Sequence, residues 1–322
     1  MEKDIFSAYS LDRLIEKSIF LLEKQTKILS PDNLNRFRYK TASWLDNCFF
    51  KILKQLKVSS FVECGAHEAY ASSNFIKNIG KRSIAIEANP NIFNTTTSLV
   101  KKEGVIAINC GLSNKNGLMD FYIPKDNEIA SNSSFLIQRD KKIENYHIKK
   151  IEVKTLDLIL DKYIEKNEKF SLWIDVEGLA FEVLEGCKEY LTAGNSQCVA
   201  IKIEVEDIEL WNNQSNSKKI YNYLKKYDYL PVLRDLEYEN QYNIIFVKKK
   251  FINSIKKTLE FFENDFDNIV LEKFEKNESL FEKIRWIKHK LVHSNNYLLL
   301  FIVHGIAAIF GSRSSKKFFK KK

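Results

Sequence analysis

Hydrophobic positions recur along this chain with two different periods. Trp44, Leu45, Cys48, Phe49, Ile52, Leu53 and Leu56 fall three and four residues apart, which predicts an amphipathic helix. A weaker stripe of Leu11, Leu14, Ile15, Ser18 and Leu22, with Ser10 as N-cap, predicts a helix before it. Ser30-Pro31-Asp32-Asn33 reads as the turn between the two. From residue 60 onward, short apolar runs alternate with helical stretches. Strands are expected at Ser60–Glu63, Ser83–Glu87, Val105–Asn109, Phe170–Asp175 and Cys198–Glu204. Helices are expected over 70–80, from Pro90, over 156–165, over 179–191 and over 217–227. Asn89 is a natural N-cap and Pro90 a natural first helical residue. This alternation predicts an α/β fold whose mainly parallel sheet carries helices on both faces. Tyr229–Arg234 and Asn243–Val247, joined by the polar link 235–240, read as a closing antiparallel hairpin.

Two regions depart from the alternation. Leu118–Ile123 and Ile151–Thr155 read as strands flanking a polar segment, 124–150, that carries Ser131-Asn132-Ser133-Ser134 and several lysines. A segment of that length inside a compact domain is usually functional or unstructured, and a lid over an acceptor is the functional reading. Beyond residue 250 the sequence is helical and charged until Tyr297–Phe310, an apolar run broken only by His304 and Gly305. As a helix it would be about 21 Å long, short of the roughly 30 Å needed to span a bilayer. Lys316–Lys322 follows at once. A buried terminal helix with a solvated tail explains this pattern. So does an interfacial membrane anchor, in which apolar burial and lysines near anionic lipid act together.

Composition narrows the class. The 322 residues are 44% hydrophobic and 29% charged, which suits a globular chain. Ten glycines and four prolines argue against a loop-rich β sandwich. The pattern divides the chain into a helical N-terminal extension (1–57), a core domain (58–250) and a helical C-terminal extension (251–322) with a basic tail. The N-terminal helices read as a cap on the core, with homodimerisation as the alternative. Cys48, Cys64, Cys110, Cys187 and Cys198 are odd in number and widely spaced, which disfavours disulfides and zinc and favours a reducing compartment. Met1–Leu29 has no signal-peptide apolar block, so a cytoplasmic protein is expected, at most peripheral at the inner face of the membrane. The net charge is +9, but Arg313, Lys316, Lys317, Lys320, Lys321 and Lys322 follow Tyr297 with no acid. Most of the excess therefore belongs to the tail. With no interleaving of aromatic and basic residues, no nucleic-acid partner is expected.

Candidate chemistry collects at the strand ends. Phe61-Val62-Glu63-Cys64-Gly65-Ala66-His67 is a strand running into a small-residue turn ahead of a helix, the arrangement of a nucleotide-cofactor cradle. Gly65 lets a backbone approach closely. Glu63 repels a pyrophosphate and favours a cationic or hydroxyl-bearing ligand, which points from NAD towards S-adenosylmethionine. A nicotinamide oxidoreductase would also need a second and third glycine where Ala66-His67-Glu68-Ala69-Tyr70 has none. Glu87 ends the second strand, where a carboxylate accepts hydrogen bonds from both hydroxyls of a ribose; a solvated strand end is the plainer reading. Asn109-Cys110-Gly111 ends the third strand, where an adenine would pack. Asp175-Val176-Glu177-Gly178 ends the fourth. If extended geometry persists, Asp175 and Glu177 share one side. They could hold a cationic cofactor group and deprotonate an acceptor, or simply cap the next helix.

These residues resemble the FkbM-type S-adenosylmethionine-dependent methyltransferases over about 58–248. The resemblance rests on Val62-Glu63-Cys64-Gly65-Ala66, Ile86-Glu87-Ala88-Asn89-Pro90, Thr155-Leu156-Asp157, Ile174-Asp175-Val176-Glu177-Gly178, Val183-Leu184-Glu185-Gly186 and Glu204. It implies a class I Rossmann-like methyltransferase sheet and O-methylation, mostly of sugars, polysaccharides or polyketide-type products. It places the cofactor at Glu63, Gly65, Ala66, His67, Glu87, Ala88, Asn109, Cys110 and Asp175, and the chemistry at Asp175, Glu177 and His67. The chain departs from the family pattern at Glu63 (usually Asp), His67 (Asn), Ala69 (Gly), Trp173 (Lys) and Ala180 (Glu), the last two expected beside the acceptor. The five histidines are dispersed, so no metal site is expected. A non-catalytic methyltransferase-like module that docks a membrane or a partner is the remaining alternative.

Overall fold

A computed structural model describes residues 31–95, 97–125, 132–165, 167–192 and 198–277, with isolated positions before 31. The expected helix around Leu11–Leu22 lies mostly outside the described residues; Tyr297–Phe310 and the basic tail lie wholly outside them. The chain forms two units, Met1–Phe262 and Glu263–Lys322. Among the described residues, no helix is long and apolar enough to cross a membrane.

The first unit is built on a seven-stranded sheet. Its strands are β1 (Ser60–Cys64), β2 (Arg82–Glu87), β3 (Ile106–Asn109), β7 (Phe170–Ile174), β8 (Cys198–Glu206), β9 (Tyr229–Arg234) and β10 (Gln241–Lys248). They lie in the order β3-β2-β1-β7-β8-β10-β9. Only β10 breaks the parallel arrangement, pairing antiparallel with both β8 and β9. The sequence order reverses between β1 and β7, which places a ligand crevice at the carboxyl ends of these two strands. This is the class I methyltransferase sheet that the alternation and the closing hairpin predict. Central strands are buried on both faces: every residue of β1 and β7 is buried. Their sequences accordingly read as continuous rather than alternating runs.

Helix α1 (Pro31–Gln55) begins where a turn is expected, with Pro31 in its first turn, where the missing amide proton costs nothing. Its stripe lies on the sheet. Phe49 and Phe50 sit 6.1 and 6.0 Å, ring to ring, from Trp173 of β7, and Phe50 lies 6.1 Å from Phe61 of β1. Phe61 stacks on Phe75 of α2 (Tyr70–Asn78) at 5.1 Å. Trp173 thus belongs to an aromatic layer under α1 and does not line the cavity described below. Ala180, also expected there, is likewise buried away from the cavity.

Helix α3 (Pro90–Thr95) starts as the sequence predicts. Asn89 Oδ1 accepts from the Asn91 amide at 3.0 Å, and its Nδ2 donates to Ser133 Oγ at 3.2 Å. Asn89→Ala should therefore destabilise the protein by about 1 kcal/mol, the usual worth of an N-cap, as read by urea denaturation.

Three details depart from expectation. First, β4 (Gly111–Leu112), β5 (Gly117–Pro124) and β6 (Tyr146–Lys154) form a separate three-stranded sheet in the order β4-β6-β5. β6 begins earlier than predicted because most of it is solvated, so its His, Lys and Glu positions hide the strand period. Second, helix α4 (Leu156–Tyr163) is as expected, but the helix predicted over 179–191 divides into α5 (Ala180–Glu185) and α6 (Lys188–Leu191). Between them Gly186 packs so closely that a Cβ there would stand 2.3 Å from the Ser113 carbonyl oxygen. Third, extended geometry does not persist beyond Ile174: Glu177 has φ +45° and Gly178 φ +90°, so the chain turns left-handed. The unit ends with α7 (Ser217–Lys226) packed beside β8 and β9, and with the first turns of α8 (Ile252–Asn277). None of the five buried cysteines forms a disulfide.

Candidate functional site

A cavity of about 440 Å³ opens over the carboxyl ends of the central strands, a size ordinary for a small-molecule site. On one side it is lined by Gly65, His67, Glu87, Ala88 and Cys110. On the other stand Asp175, Glu177, Glu204, Trp211, Glu237 and Asn243. Asn132, Ser133, Phe135 and Gln138, from the chain between β5 and β6, close part of the wall. Ser134 fastens that segment by donating from Oγ to the Glu177 carbonyl at 2.6 Å.

The turn after β1 is tightly built. The amides of Gly65 and Ala66 both donate to the Ile86 carbonyl at 2.9 Å, and the Asp175 amide donates to the Cys64 carbonyl at 2.9 Å. Gly65 has φ +78°, and a Cβ on it would fall 1.7 Å from the Asp175 carbonyl oxygen. His67 and Ala69 are left-handed too, at φ +44° and +55°. Asn and Gly adopt that region at the least cost, which gives the family's usual residues at these two positions a physical reason.

Glu87 is held by two backbone donors: the His67 amide on Oε2 at 2.9 Å and the Asn89 amide on Oε1 at 2.7 Å. Burial nonetheless raises its pKa, outweighing those two bonds. Three of the expected cofactor residues lie off the cavity wall. Ala66 is buried beneath the turn. Asn109 points back, donating from Nδ2 to the Glu87 carbonyl at 2.7 Å. Glu63 is directed under helix α2, where its Oε2 accepts from the Ser72 amide at 2.8 Å; a carboxylate at a helix N-terminus is favoured by the exposed amides.

Burial outweighs that bond and pushes the Glu63 pKa up to about 7. In the unfolded chain the group titrates near its ordinary 4.5. Its folded state therefore holds a proton more tightly, and the stability this confers is complete below 4.5 and lost as the pH rises through about 7. Glu63→Gln should accordingly change the melting temperature little at about pH 5 and raise it relative to wild type at about pH 8. Calorimetric melts of both proteins across this range check the sign.

The opposite wall is acidic. Burial pushes Glu204 and Glu177 well above the usual carboxylate range, and each is raised further by Asp175. Asp175 is raised by burial although Lys202 pulls it back, and it shares a hydrogen bond with Glu204. Such a pair titrates as one unit. Burial also lifts Glu206 and Glu237 to about 7. Below this wall Lys202 is fully enclosed, with its ammonium 3.0 Å from Asp46 of α1 and 3.4 Å from the Trp173 ring centre.

Of the residues singled out in the sequence, Gly65, His67, Glu87, Ala88, Cys110, Asp175 and Glu177 meet at one cavity. Glu204 entered the sequence reading only as part of the family pattern. Trp211, Glu237 and Asn243 did not enter it as site residues; the acids of the 235–240 link at the sheet's edge were the available signal for Glu237.

A sheet of this order with a glycine turn, a strand-end glutamate and an acidic far wall defines a nucleoside-cofactor transferase of the methyltransferase class. The chain belongs to the methyltransferase FkbM domain family, which matches residues 63–231, more than half its length. The family makes it an S-adenosylmethionine-dependent methyltransferase. No curated protein matches the chain. Among solved structures it is similar to an rRNA methylase from Streptococcus thermophilus, at 11% identity and a TM-score of 0.35, covering 63% of this chain and 93% of that one. A precorrin-6y C5,15-methyltransferase from Geobacter metallireducens GS-15 is similar at 13% identity and a TM-score of 0.32, covering 61% and 84%. The tRNA m1A22 methyltransferase of B. subtilis is similar at 12% identity and a TM-score of 0.32, covering 80% and 92%. At these identities the likeness concerns the fold, and the acceptors of those enzymes are their own.

Proposed function

We propose that this protein methylates a hydroxyl oxygen, on a sugar of a glycan or a lipid-linked saccharide. The observation that carries this reading is the convergence of Asp175, Glu177 and Glu204 across the cavity from Gly65 and Glu87. The donor set suits S-adenosylmethionine. Glu87 offers acceptor oxygens to the ribose hydroxyls, Ala88 and Cys110 offer an apolar flank for the adenine, and Asp175 offers a negative charge to the ammonium group. When bound, the cofactor supplies an electrophilic methyl on a sulfonium.

The chain's part is to hold an acceptor hydroxyl in line with that methyl and to take its proton. Positioning supplies most of the acceleration. The carboxylates of Asp175, Glu177 and Glu204, each raised above the ordinary carboxylate range by burial, are stronger bases than exposed carboxylates, which suits the proton's removal. His67 stands on the cofactor side of the cavity and would contact the cofactor rather than the acceptor.

The test is twofold. Isothermal titration should show S-adenosylhomocysteine binding to the full chain. Incubation with S-adenosylmethionine and a panel of saccharides should then yield a product heavier by one methylene, with methyl on oxygen. Binding without transfer to any hydroxyl would favour a docking module, and methyl found on nitrogen would overturn the O-methylation reading.

A further inference from the structure

The acidic wall has an internal order. Trp173 pairs with Lys202 and Ile174 with Ile203 across β7 and β8. Continued by one residue, this register sets Asp175 beside Glu204, and Glu204 is in turn the partner of Asn243 on β10. The three residues form a row across three strands on one face, and the left-handed turn at Glu177 brings a third carboxylate back to it. One oxygen from each of Asp175, Glu177 and Glu204 lies within 4.8 Å of the other two.

Asn243 supplies a second, independent observation. It is 6% exposed and lines the cavity. Its Nδ2 donates to Asp235 Oδ2 at 3.0 Å and its backbone amide to Asp235 Oδ1 at 3.1 Å, which fixes the orientation of the side chain. The amide oxygen, diverging from Nδ2, is turned away from Asp235, and among the described residues it accepts no hydrogen bond. A buried acceptor without a donor costs free energy unless something electropositive faces it.

We propose that Asp175, Glu177, Glu204 and Oδ1 of Asn243 bind one hard divalent cation, of the Mg²⁺, Mn²⁺ or Ca²⁺ kind, on the acceptor side of the cavity. The donors are all oxygens, which suits these ions and not softer ones. Metal–oxygen distances of about 2.0–2.6 Å put ligands of one ion no more than about 5 Å apart, and the carboxylate oxygens meet that limit. Lys202, two residues from Glu204 on the same face of β8, is committed to Asp46. The cavity side of the ion stays open to water or to acceptor oxygens. Its role rests on the methyl-transfer reading: the ion orients and polarises the acceptor hydroxyl, while carboxylate oxygens not bound to it remain to take the proton.

Binding of Mn²⁺ to the full-length protein without cofactor, followed by the loss of the free-ion paramagnetic resonance signal, tests the site directly. A single site stronger than about 1 mM is expected, with Mg²⁺ or Ca²⁺ displacing the ion. Loss of an outer partner alone commonly costs about 10–100-fold in metal affinity. Glu204→Gln and Glu177→Gln, which remove ligands while keeping shape, should therefore weaken Mn²⁺ at least about 10-fold, as should Asn243→Ala where melting curves show it folded. Asp140→Asn removes an exposed acid outside the cavity and should leave Mn²⁺ affinity unchanged. Failure to capture Mn²⁺, or capture that the Glu204 and Glu177 variants leave intact, overturns the proposal. S-adenosylhomocysteine titrations run alongside separate the two readings: cofactor binding without Mn²⁺ binding sinks the cation alone, and the reverse sinks the methyltransferase reading alone.

Discussion

Gly65→Ala should cost the protein about 2–5 kcal/mol of stability and abolish measurable binding of S-adenosylhomocysteine. Two effects add. A non-glycine residue at φ +78° pays about 1–2 kcal/mol for the left-handed conformation. The new methyl would also overlap the Asp175 carbonyl oxygen at 1.7 Å, and overpacking of this kind commonly costs about 1–3 kcal/mol. The overlapping atom is backbone, held by the Asp175 amide's bond to Cys64, so no side chain can swing aside to relieve it. The strand ends must separate, and they are the floor of the cofactor cavity. Thermal melts and titration calorimetry check the two halves of the expectation. A variant that melts with the wild type and still binds would show that the β1 turn is not closed as described.

The second large effect is on turnover. Asp175→Asn should lower kcat by about 10²–10⁴-fold, the range for loss of a general acid or base. The asparagine keeps the shape and the cavity but cannot take a proton from the acceptor. Glu204→Gln should fall in the same range, because the pair titrates as one unit. The double variant should then lose little more than the worse single one, since groups acting together are far from additive. Rates measured under saturating cofactor, with the saccharide that the product assay identifies, decide this. Wild-type rates in both single variants would remove the acidic wall from the chemistry and leave it a binding role.

The sheet was legible because its strands are local facts. Ser60–Cys64 and Phe170–Ile174 are buried on both faces and read as apolar runs, while Asn89 and Pro90 announce α3 through their own side chains. The largely solvated first half of β6, residues 146–150, was not, because no buried face imposes a period on its lysines. The cofactor half of the cavity was legible for the same local reason: Gly65 and Glu87 end consecutive strands, so their neighbourhood follows from order alone. The acidic half depends on register. Glu204 and Asn243 are far apart in sequence and meet because β10 inserts between β8 and β9, and only the pairing of particular residues puts their oxygens in one row. Glu177 was singled out for the right neighbourhood on the wrong geometry, since a left-handed turn and not an extended strand returns it to Asp175. Trp173 was expected beside the acceptor; it shares a face with Asp175 but lies two residues earlier on the strand, where the phenylalanines of α1 enclose it in a buried aromatic layer.

The bond between Lys202 and Asp46 bears on where this enzyme can be cut. The family's match begins at residue 63, and Asp46 precedes it on α1. A fragment trimmed to the family limits would keep a buried ammonium directly below the acids and discard its counter-charge, along with the phenylalanines that roof Trp173. Homology and autonomy have different borders in this chain. The helix that looks like an appendage in the sequence supplies the counter-charge beneath the acids of the cavity.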